Sequence, residues 1–227
     1  MAERPLRLAH RGDWRDAPEN SLGAMLAALD VPGCDGLEFD LRNSLDGVAV
    51  LLHDADLARV QKVPAKCATL TAAELAGHGI PTFKEVLDAV GCDVFLDVEL
   101  KERIDGAIGL LELERGRVDD DGRAALRSAV VSSFDADVLA WLGAERPTWP
   151  RWLNAYDLAE ATIERAGDLG CEVISVEWHA LDEASVARAR DAGLGVSAWT
   201  VRDPAAYERL ASLGLRAICA EASALTG

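Results

Sequence analysis

The sequence lacks the long apolar segments and the basic clusters that mark several classes of protein. No run approaches the ~18 apolar residues that a membrane-spanning helix needs. No cluster of five or more lysines and arginines occurs, and acidic residues outnumber basic ones by 39 to 23, giving a formal charge of -16. Because nucleic-acid-binding proteins usually carry a basic patch, we expect no nucleic-acid partner, and this charge also disfavours binding to anionic membranes.

Paired cysteines and an N-terminal signal pattern are missing as well. The five cysteines form no CxxC motif, and most lie in or beside apolar strand-like runs, where a buried reduced thiol is the ordinary state. The first residues, Met-Ala-Glu-Arg-Pro, lack the charged-then-apolar order of a secretory signal. We therefore expect a cytoplasmic, soluble protein with no stable membrane insertion.

Short apolar runs alternate with helix-like segments along most of the chain. The predicted strands are 6–10, 36–41, 48–53, 94–100, 129–133, 151–155, 173–178, 195–200 and 217–221. The predicted helices are 21–29, 81–90, 135–142, 158–168, 182–192 and 204–213. Regular alternation of this kind is typical of parallel βα units.

The second and third predicted strands are too close in sequence to be parallel neighbours. Six residues separate 36–41 from 48–53, whereas a parallel crossover needs about a dozen. The segment 44–47, Ser-Leu-Asp-Gly, is typical of a hairpin turn. Centred between the two middle residues of this turn, antiparallel pairing places His53 directly opposite Glu38 and on the same face.

The remaining eight strands predict a TIM (β/α)8 barrel with a hairpin extension after its second strand. At 227 residues the chain suits one such domain, spanning 1–227. Residues 54–79 have little periodicity and are predicted to form a small insertion or lid. The alternative is an open, doubly wound sheet, but no Gly-rich loop follows the first strand, which disfavours a dinucleotide-binding version.

Acidic side chains fall on the predicted inner face of two barrel strands. Barrel strands alternate between the lumen and the surrounding helices, so the apolar positions of 36–41 and 94–100 face outward and Glu38, Asp40 and Glu99 face inward. A charged lumen residue is costly to bury unless it is paired or binds a metal, and three carboxylates can hold Mg2+ or Ca2+. The alternative is internal salt bridges with the nearby basic residues Arg11, Arg42 and Lys101.

Two histidines are predicted to lie near these carboxylates. His10 ends the first strand, and the hairpin brings His53 to the level of Glu38. Because imidazole has an ordinary pKa of ~6.5, the pair can supply a general base and a general acid near neutral pH. Arg11 and Lys101 add positive charge suited to an anionic group such as a phosphate.

At these positions the chain resembles the glycerophosphodiester phosphodiesterase family. The motifs that carry the resemblance are Ala9-His10-Arg11-Gly12, Pro18-Glu19-Asn20-Ser21, Leu37-Glu38-Phe39-Asp40, Asp46-Gly47, His53-Asp54, Ile80-Pro81-Thr82-Phe83, Val98-Glu99-Leu100-Lys101, Ser133-Phe134 and Trp199-Thr200-Val201. They occur in order and span nearly the whole chain, so the set is far more specific than any one member.

The resemblance implies a reaction, a metal and roles for particular residues. The reaction is hydrolysis of a glycerophosphodiester to an alcohol and glycerol 3-phosphate, with a divalent cation, Mg2+ or Ca2+, as cofactor. The implied roles are an acid–base pair at His10 and His53, metal ligands at Glu38, Asp40 and Glu99, phosphate contacts at Arg11 and Lys101, and a pocket wall at Trp199. Glu19 and Asn20 are expected to brace the first loop and to cap its helix.

Some positions depart from the family pattern and leave the choice of substrate open. Ala220-Glu221 stands where Thr-Asp is usual, and Arg202 stands where Asn usually follows Trp-Thr-Val. A lysophospholipid or sphingolipid substrate would need an exposed apolar rim, for which the sequence offers Trp149, Trp152 and Trp178. A non-catalytic barrel that binds a phosphorylated ligand is a further alternative, although every implied catalytic group is present. The four isolated histidines do not match a His-x-His metallohydrolase.

Overall fold

Eight parallel strands close into a barrel in the computed structural model, which describes residues 4–226. The strands are Leu6–His10 (β1), Gly36–Asn43 (β2), Ala49–Leu51 (β3), Phe95–Leu100 (β4), Gly116–Val118 (β5), Ala124–Leu126 (β6), Ala129–Ser133 (β7), Arg151–Ala155 (β8), Val173–Glu177 (β9), Gly195–Val201 (β10) and Ala217–Ala220 (β11). Strand β1 pairs with both β2 and β11, which closes the ring; β3 lies outside it, and β5 and β6 form a separate hairpin. The (β/α)8 prediction is confirmed, and the open-sheet alternative is wrong.

Helices connect the barrel strands along the outside of the ring. They are Leu22–Leu29 (α1), Ala72–Ala76 (α2), Phe83–Val90 (α3), Asp105–Arg115 (α4), Ala136–Glu145 (α5), Glu160–Asp168 (α6), Glu183–Asp191 (α7), Pro204–Ala211 (α8) and Ala222–Thr226 (α9). The predicted start signals at Ser21, Thr82 and Asp182 are all side-chain N-caps. Helix α4 was not predicted: it contains two glycines, and Ile104 at its N-cap position provides no side-chain acceptor.

The barrel separates an apolar outer layer from a divided lumen. The alternate residues of β2 and β4, such as Leu37 and Val98, are fully or almost fully buried in the core shared with the helices. Inside the ring a smaller apolar cluster, including Leu8, Trp152 and Cys219, fills the lumen at the N-terminal side of the strands. This packing leaves the C-terminal mouth of the barrel for polar groups, as in other barrels of this type.

The hairpin after β2 forms as predicted, but its register differs by one residue. Leu41 pairs with Leu51 and Asn43 with Ala49, so paired positions sum to 92, one more than a turn centred within 44–47 requires. The loop between Ser44 and Val48 has three residues, and its last, Gly47, has φ of 75°, the left-handed conformation that closes such loops. The prediction that His53 lies directly opposite Glu38 is therefore wrong.

A different backbone path brings His53 toward the barrel mouth. Continued in the observed register, the ladder would set His53 opposite Phe39, which faces the helices. Strand β3 instead ends at Leu51, and after one further bond from Leu52 N to Asp40 O (3.0 Å) the chain leaves the ladder. Arg42 Nε donates to His53 O (2.9 Å) and holds the backbone at this point.

Residues 54–79 pack as a small layer on the hairpin. Leu57, Cys67 and Leu75 are buried against Val50 and Leu52 of the hairpin segment in an apolar cluster separate from the main core. Helix α2 and a 3-10 turn at Cys67–Thr69 are the helical pieces of this segment. None of the helices among residues 4–226 has the length and apolar character required to span a lipid bilayer.

Candidate active site

The register of three adjacent strands sets the acidic residues side by side at the mouth. Strand β1 pairs His10 with Glu38, and strand β4 pairs Asp97 with Glu38 and Glu99 with Asp40. Paired positions of parallel neighbours point to the same side of the sheet, and in this barrel that side is the lumen. The alternation that the sequence predicts for β2 and β4 therefore places the acidic side chains together.

Glu38, Asp40 and Glu99 form a carboxylate triad that fits a divalent cation. One oxygen from each lies within 4.8 Å of the others, and all three residues are buried. Glu38 Oε2 is buried and accepts no hydrogen bond from residues 4–226; the nearest cationic group reported for it is His10 Nε2 at 3.8 Å. Hard carboxylate oxygens with a free lone pair are the ligands that Mg2+ and Ca2+ prefer, so the donor set suits the expected metal.

Burial and mutual repulsion change the protonation of the triad. Burial and the neighbouring Asp40 raise the pKa of Glu99 to about 7, and the same two causes raise the pKa of Glu38 well above its usual range. Burial acts on Asp40 too, but Lys101 and Arg11 outweigh it and hold the pKa of Asp40 below its usual range. Asp97, deeper in the lumen, has a pKa raised to about 7 by burial.

Two of the three predicted basic partners contact the triad. Lys101 Nζ lies 2.7 Å from Asp40 Oδ1 and also contacts Glu99, while Arg11 Nε lies 3.1 Å from Asp40 Oδ2. Arg42 has no part in this cluster, because its guanidinium bonds to the backbone of His53. The salt-bridge alternative therefore holds for Asp40 and Glu99, whereas Glu38 has neither cation as a hydrogen-bond partner.

His10 is held between two acidic groups. Its Nδ1 contacts Glu221 Oε1, and its Nε2 faces Glu38. Glu221 is buried, and its other oxygen accepts a hydrogen bond from Arg202 Nε (2.6 Å). Burial lowers the pKa of His10 despite the opposing effect of Glu221. The sequence marked both Glu221 and Arg202 as departures from the family pattern, but it gave no sign that they meet.

His53 has the same kind of support on the other side of the mouth. Its Nδ1 lies 2.7 Å from Asp54 Oδ1, and Asp54 Oδ2 accepts a hydrogen bond from Arg59 Nε (2.6 Å). Burial lowers the pKa of His53. Arg59 belongs to the 54–79 segment and lines the cavity. Sequence reasoning missed it, because nothing in that irregular segment indicates which side chain turns inward.

The loop after β1 presents Arg11 through an unusual backbone. Arg11 has φ of 60° and Gly12 φ of 85°, and a Cβ on Gly12 would lie 2.6 Å from the carbonyl carbon of Ala24. Only glycine fits that position. Glu19 Oε1 accepts from Arg11 Nη1 (2.9 Å), and Asn20 Nδ2 donates to Asp40 Oδ2 (2.8 Å). Glu19 and Asn20 thus brace the site residues, while Ser21 supplies the helix cap.

Aromatic rings form one wall of the cavity, but they differ from those expected for a rim. Phe134, Tyr156 and Trp199 pack with ring centroids 5.3 to 5.5 Å apart, and Tyr156 is 71% exposed. Trp149 and Trp152 were predicted as rim candidates, which is wrong: both are buried, and Trp152 lies in the apolar lumen cluster. The expected rim residue Trp178 begins a turn after β9 and stacks on His179 instead of lining the cavity.

The cavity at the mouth has a volume of about 370 Å3 and brings the predicted site residues together. Its walls include His10, Arg11, Glu38, His53, Glu99, Lys101 and Trp199. Asp40 lies directly behind them, against Lys101 and Arg11. Buried acids, two imidazoles and two cations in one cleft can bind a metal and a phosphate and can transfer protons.

Comparison with known proteins adds relatives to this geometry. The sequence model of the glycerophosphoryl diester phosphodiesterase family matches residues 10–224. A glycerophosphodiester phosphodiesterase of Caldanaerobacter subterraneus subsp. tengcongensis is 33% identical over 113 residues, which cover 44% of this chain and 46% of that protein, less than half its length. A probable glycerophosphodiester phosphodiesterase of Mycobacterium tuberculosis is 31% identical over 223 residues, covering 88% of this chain and 80% of that protein.

Solved structures share the architecture. An Oleispira antarctica phosphodiesterase, solved in complex with the product sn-glycerol-3-phosphate, superimposes with a TM-score of 0.81 at 26% identity, covering 96% of this chain and 93% of that one. A Thermotoga maritima glycerophosphodiester phosphodiesterase superimposes with a TM-score of 0.77 at 26% identity, covering 97% and 96%. With its ordered motifs, its barrel and the family match over nearly its whole length, the chain belongs to the glycerophosphoryl diester phosphodiesterase family.

Proposed function

We propose that this protein hydrolyses glycerophosphodiesters to an alcohol and glycerol 3-phosphate, using a divalent metal and a pair of histidines. The observation that carries the proposal is the convergence of His10, His53 and the carboxylate triad on one cavity. Family membership and the product held by the Oleispira relative support the substrate class. Residues 1–227 would act as one catalytic domain, and a cytoplasmic location stays a prediction.

Charge is the main contribution that the site makes to phosphate binding. Glu38, Asp40 and Glu99 would hold Mg2+ or Ca2+, which when bound supplies positive charge next to the phosphoryl oxygens. Arg11 and Lys101 add two fixed cations on the same side of the cavity. Since charge builds on the phosphoryl oxygens during the reaction, preorganised cations stabilise the transition state more than the ground state.

The two imidazoles are arranged for proton transfer. A carboxylate occupies Nδ1 of each ring, Glu221 for His10 and Asp54 for His53, which leaves Nε2 to exchange protons. One histidine deprotonates the nucleophile, which is water or the neighbouring glycerol hydroxyl attacking through a cyclic phosphate. The other protonates the leaving alkoxide. Trp199 forms part of the wall against which the substrate packs.

The direct test is release of glycerol 3-phosphate from glycerophosphocholine and glycerophosphoethanolamine by the purified protein. Activity with Mg2+ or Ca2+ that is lost on chelation and restored by adding the metal is expected. The Glu38→Gln variant should show little activity at any metal concentration, while Glu183→Gln, on the exposed start of α7, serves as a matched control. No product from several glycerophosphodiesters with either metal supplied would refute the substrate assignment and would favour the non-catalytic alternative.

A lysophospholipid substrate is the second candidate, because aromatic surface is exposed at the mouth. Phe134 and Tyr156 offer apolar faces beside the cavity that an acyl chain could cover. The wall is limited to a few rings, so we favour the water-soluble diester. Comparing kcat/KM for glycerophosphocholine with that for lysophosphatidylcholine separates the two, and a preference for the lipid would reverse this assignment.

A further inference from the structure

The cavity has two chemically different halves. The half built on β1, β2 and β4 carries the acidic triad, His10 and Arg11. The half built on β8, β9 and β10 is uncharged where it faces the cavity near Trp199, and it presents an amide, a hydroxyl and aromatic rings. Lys101 Nζ, 5.8 Å from the Phe134 ring centroid, marks the boundary between them. The phosphate belongs to the charged half, so the uncharged half faces one of the groups esterified to it.

Two buried polar side chains in the uncharged half have no partner in the protein. Asn154 and Ser175 are paired positions on β8 and β9, 7% and 2% exposed, and both line the cavity. Neither the Asn154 amide nor the Ser175 hydroxyl hydrogen-bonds to any group in residues 4–226. Buried polar side chains are nearly always paired, and leaving one unpaired costs about 1–3 kcal/mol. A ligand that supplies their partners would recover this energy.

The aromatic wall beside them is firmly positioned. Trp199 Nε1 donates to the backbone oxygen of Ser175 (2.8 Å), and the edges of Phe134 and Tyr156 meet Trp199 at interplanar angles of 77°. Such a wall packs against C–H groups. The uncharged half therefore suits a short carbon chain that carries hydroxyls.

The same wall could also attract a quaternary ammonium group, since cations bind aromatic faces. That group has no hydrogen-bond donor or acceptor, so it would leave the Asn154 amide and the Ser175 hydroxyl buried and unpaired. Sites that present hydrogen-bonding groups discriminate strongly against ligands that lack the matching group. The polar pair therefore favours a polyol over a choline group at this place.

We propose that Asn154 and Ser175, backed by Phe134, Tyr156 and Trp199, form a subsite that binds the glycerol moiety of the substrate through its hydroxyls. This inference rests on the proposed function and deepens it. It also sets the direction of the substrate: the glycerol lies on the β8–β10 side, and the other alcohol faces the more open side near Trp14 and Arg59.

The experiment uses two chromogenic diesters with the same leaving group. They are 2,3-dihydroxypropyl p-nitrophenyl phosphate and 2-hydroxypropyl p-nitrophenyl phosphate, which differ only in the terminal hydroxyl. Both keep the hydroxyl that a cyclic phosphate route needs. For the wild-type enzyme we expect kcat/KM to be about tenfold or more higher for the dihydroxy substrate, as one well-placed hydrogen bond allows.

Variants then locate the source of that preference. The double variant Asn154→Leu/Ser175→Ala keeps side-chain volume close to that of the wild type and should bring the ratio near unity, mainly by raising KM for the dihydroxy substrate. Ser212→Ala, which removes an exposed hydroxyl outside the cavity, is the matched control and should keep the wild-type ratio. Melting temperatures show whether each variant is folded, and Ser175→Ala alone serves if the double variant is not.

Two results would overturn the subsite. One is equal kcat/KM for the two diesters in the wild-type enzyme, which needs no variant to be interpreted. The other is a folded variant that retains the full preference. Release of glycerol 3-phosphate from glycerophosphocholine by the wild-type enzyme is measured alongside, so that failure of the subsite is distinguished from failure of the proposed function.

Discussion

Glu221 and His10 are joined across the barrel seam, where the last strand meets the first. Glu221 follows β11 and contacts His10 Nδ1 with one carboxylate oxygen, while the other oxygen accepts a hydrogen bond from Arg202. The contact fixes the imidazole ring so that Nε2 faces Glu38. Burial opposes ionisation of Glu221, but bonding to His10 outweighs it and lowers the pKa of Glu221, so the carboxylate is charged at neutral pH.

Glu221→Gln should therefore reduce kcat by roughly 10²-fold while leaving KM nearly unchanged, because a neutral amide no longer stabilises a protonated His10. Glu221→Asp, which keeps the carboxylate and restores the family residue, should retain most of the activity. Arg202→Ala should cost less than about tenfold, because the Arg202 side chain is 68% exposed and its ion pair is screened by water. Steady-state kinetics on glycerophosphocholine measure all three. Wild-type turnover by Glu221→Gln would contradict this role.

His53→Ala should lower kcat by about 10²-fold or more, since it removes a proton-transfer group. Burial lowers the pKa of both His10 and His53, so the neutral rings persist to lower pH and the acidic limb of kcat/KM should fall below pH ~6.5. His179→Ala is the matched control: its Nδ1 also lies 2.7 Å from a carboxylate, Glu177, but the residue is exposed and outside the cavity. Near-wild-type turnover by His53→Ala would exclude it as a catalytic group.

Metal binding should stabilise the protein more at high pH than at low pH. The pKa values of Glu38 and Glu99 are raised, so without metal the folded protein holds these protons more tightly than the unfolded chain. Their contribution to the free energy of unfolding is present below pH ~4.5 and is lost as pH rises through about 7. A cation needs the ionised carboxylates and competes with protons.

The rise in melting temperature on adding Mg2+ or Ca2+ should thus be larger at pH 8 than at pH 5. Differential scanning fluorimetry with and without chelator measures it. Glu99→Gln should reduce the metal-induced rise at pH 8, whereas Glu74→Gln, an exposed capping residue of α2, should not. An equal rise at both pH values would count against metal binding by the triad.

Arg59 couples the inserted segment to both sides of the catalytic cleft. Its guanidinium donates to Asp54, which holds His53, and to Glu19 at 2.5 and 2.8 Å, which in turn holds Arg11. Arg59→Ala should lower kcat/KM several-fold, because His53 and Arg11 both lose support. Arg103→Ala removes a comparably exposed arginine from an ion pair away from the cavity and is the control.

A double-mutant cycle tests whether Arg59 acts through Glu19. If it does, the effects of Arg59→Ala and Glu19→Gln on kcat/KM should be clearly less than additive, as for residues in one network. Strict additivity, or no effect of Arg59→Ala, would mean that the inserted segment does not position these groups.

Periodicity predicted most of the barrel because burial imposes it directly on the sequence. Strands β2 and β4 show apolar residues at alternate positions, and that pattern predicted both the strands and the inward direction of Glu38 and Glu99. Helix α4 escaped prediction because Ile104 gives it no capping signal, and the short hairpin Gly116–Leu126 is largely exposed and has no burial pattern to read. Local signals fail where neither burial nor capping constrains the residue type.

The hairpin shows how a correct local reading can still misplace a residue. Ser44 to Gly47 does form the turn, but the left-handed Gly47 lengthens the loop to three residues and shifts the register by one. A one-residue shift reverses the face of every later side chain, so the route by which His53 was expected to reach Glu38 was wrong. His53 lines the cavity because the chain leaves the strand after Leu51.

The sequence by itself determined the strand–helix alternation, the inward-facing acids and the family, since these depend on the residue types at short, regular spacings. Only the tertiary structure decided which distant side chains meet: Arg202 and Glu221 behind His10, Arg59 behind His53, and Asn154 beside Ser175. Ring closure brings together residues up to about two hundred positions apart, as with His10 and Glu221. No local spacing encodes those contacts, because they depend on how the whole sheet curves shut.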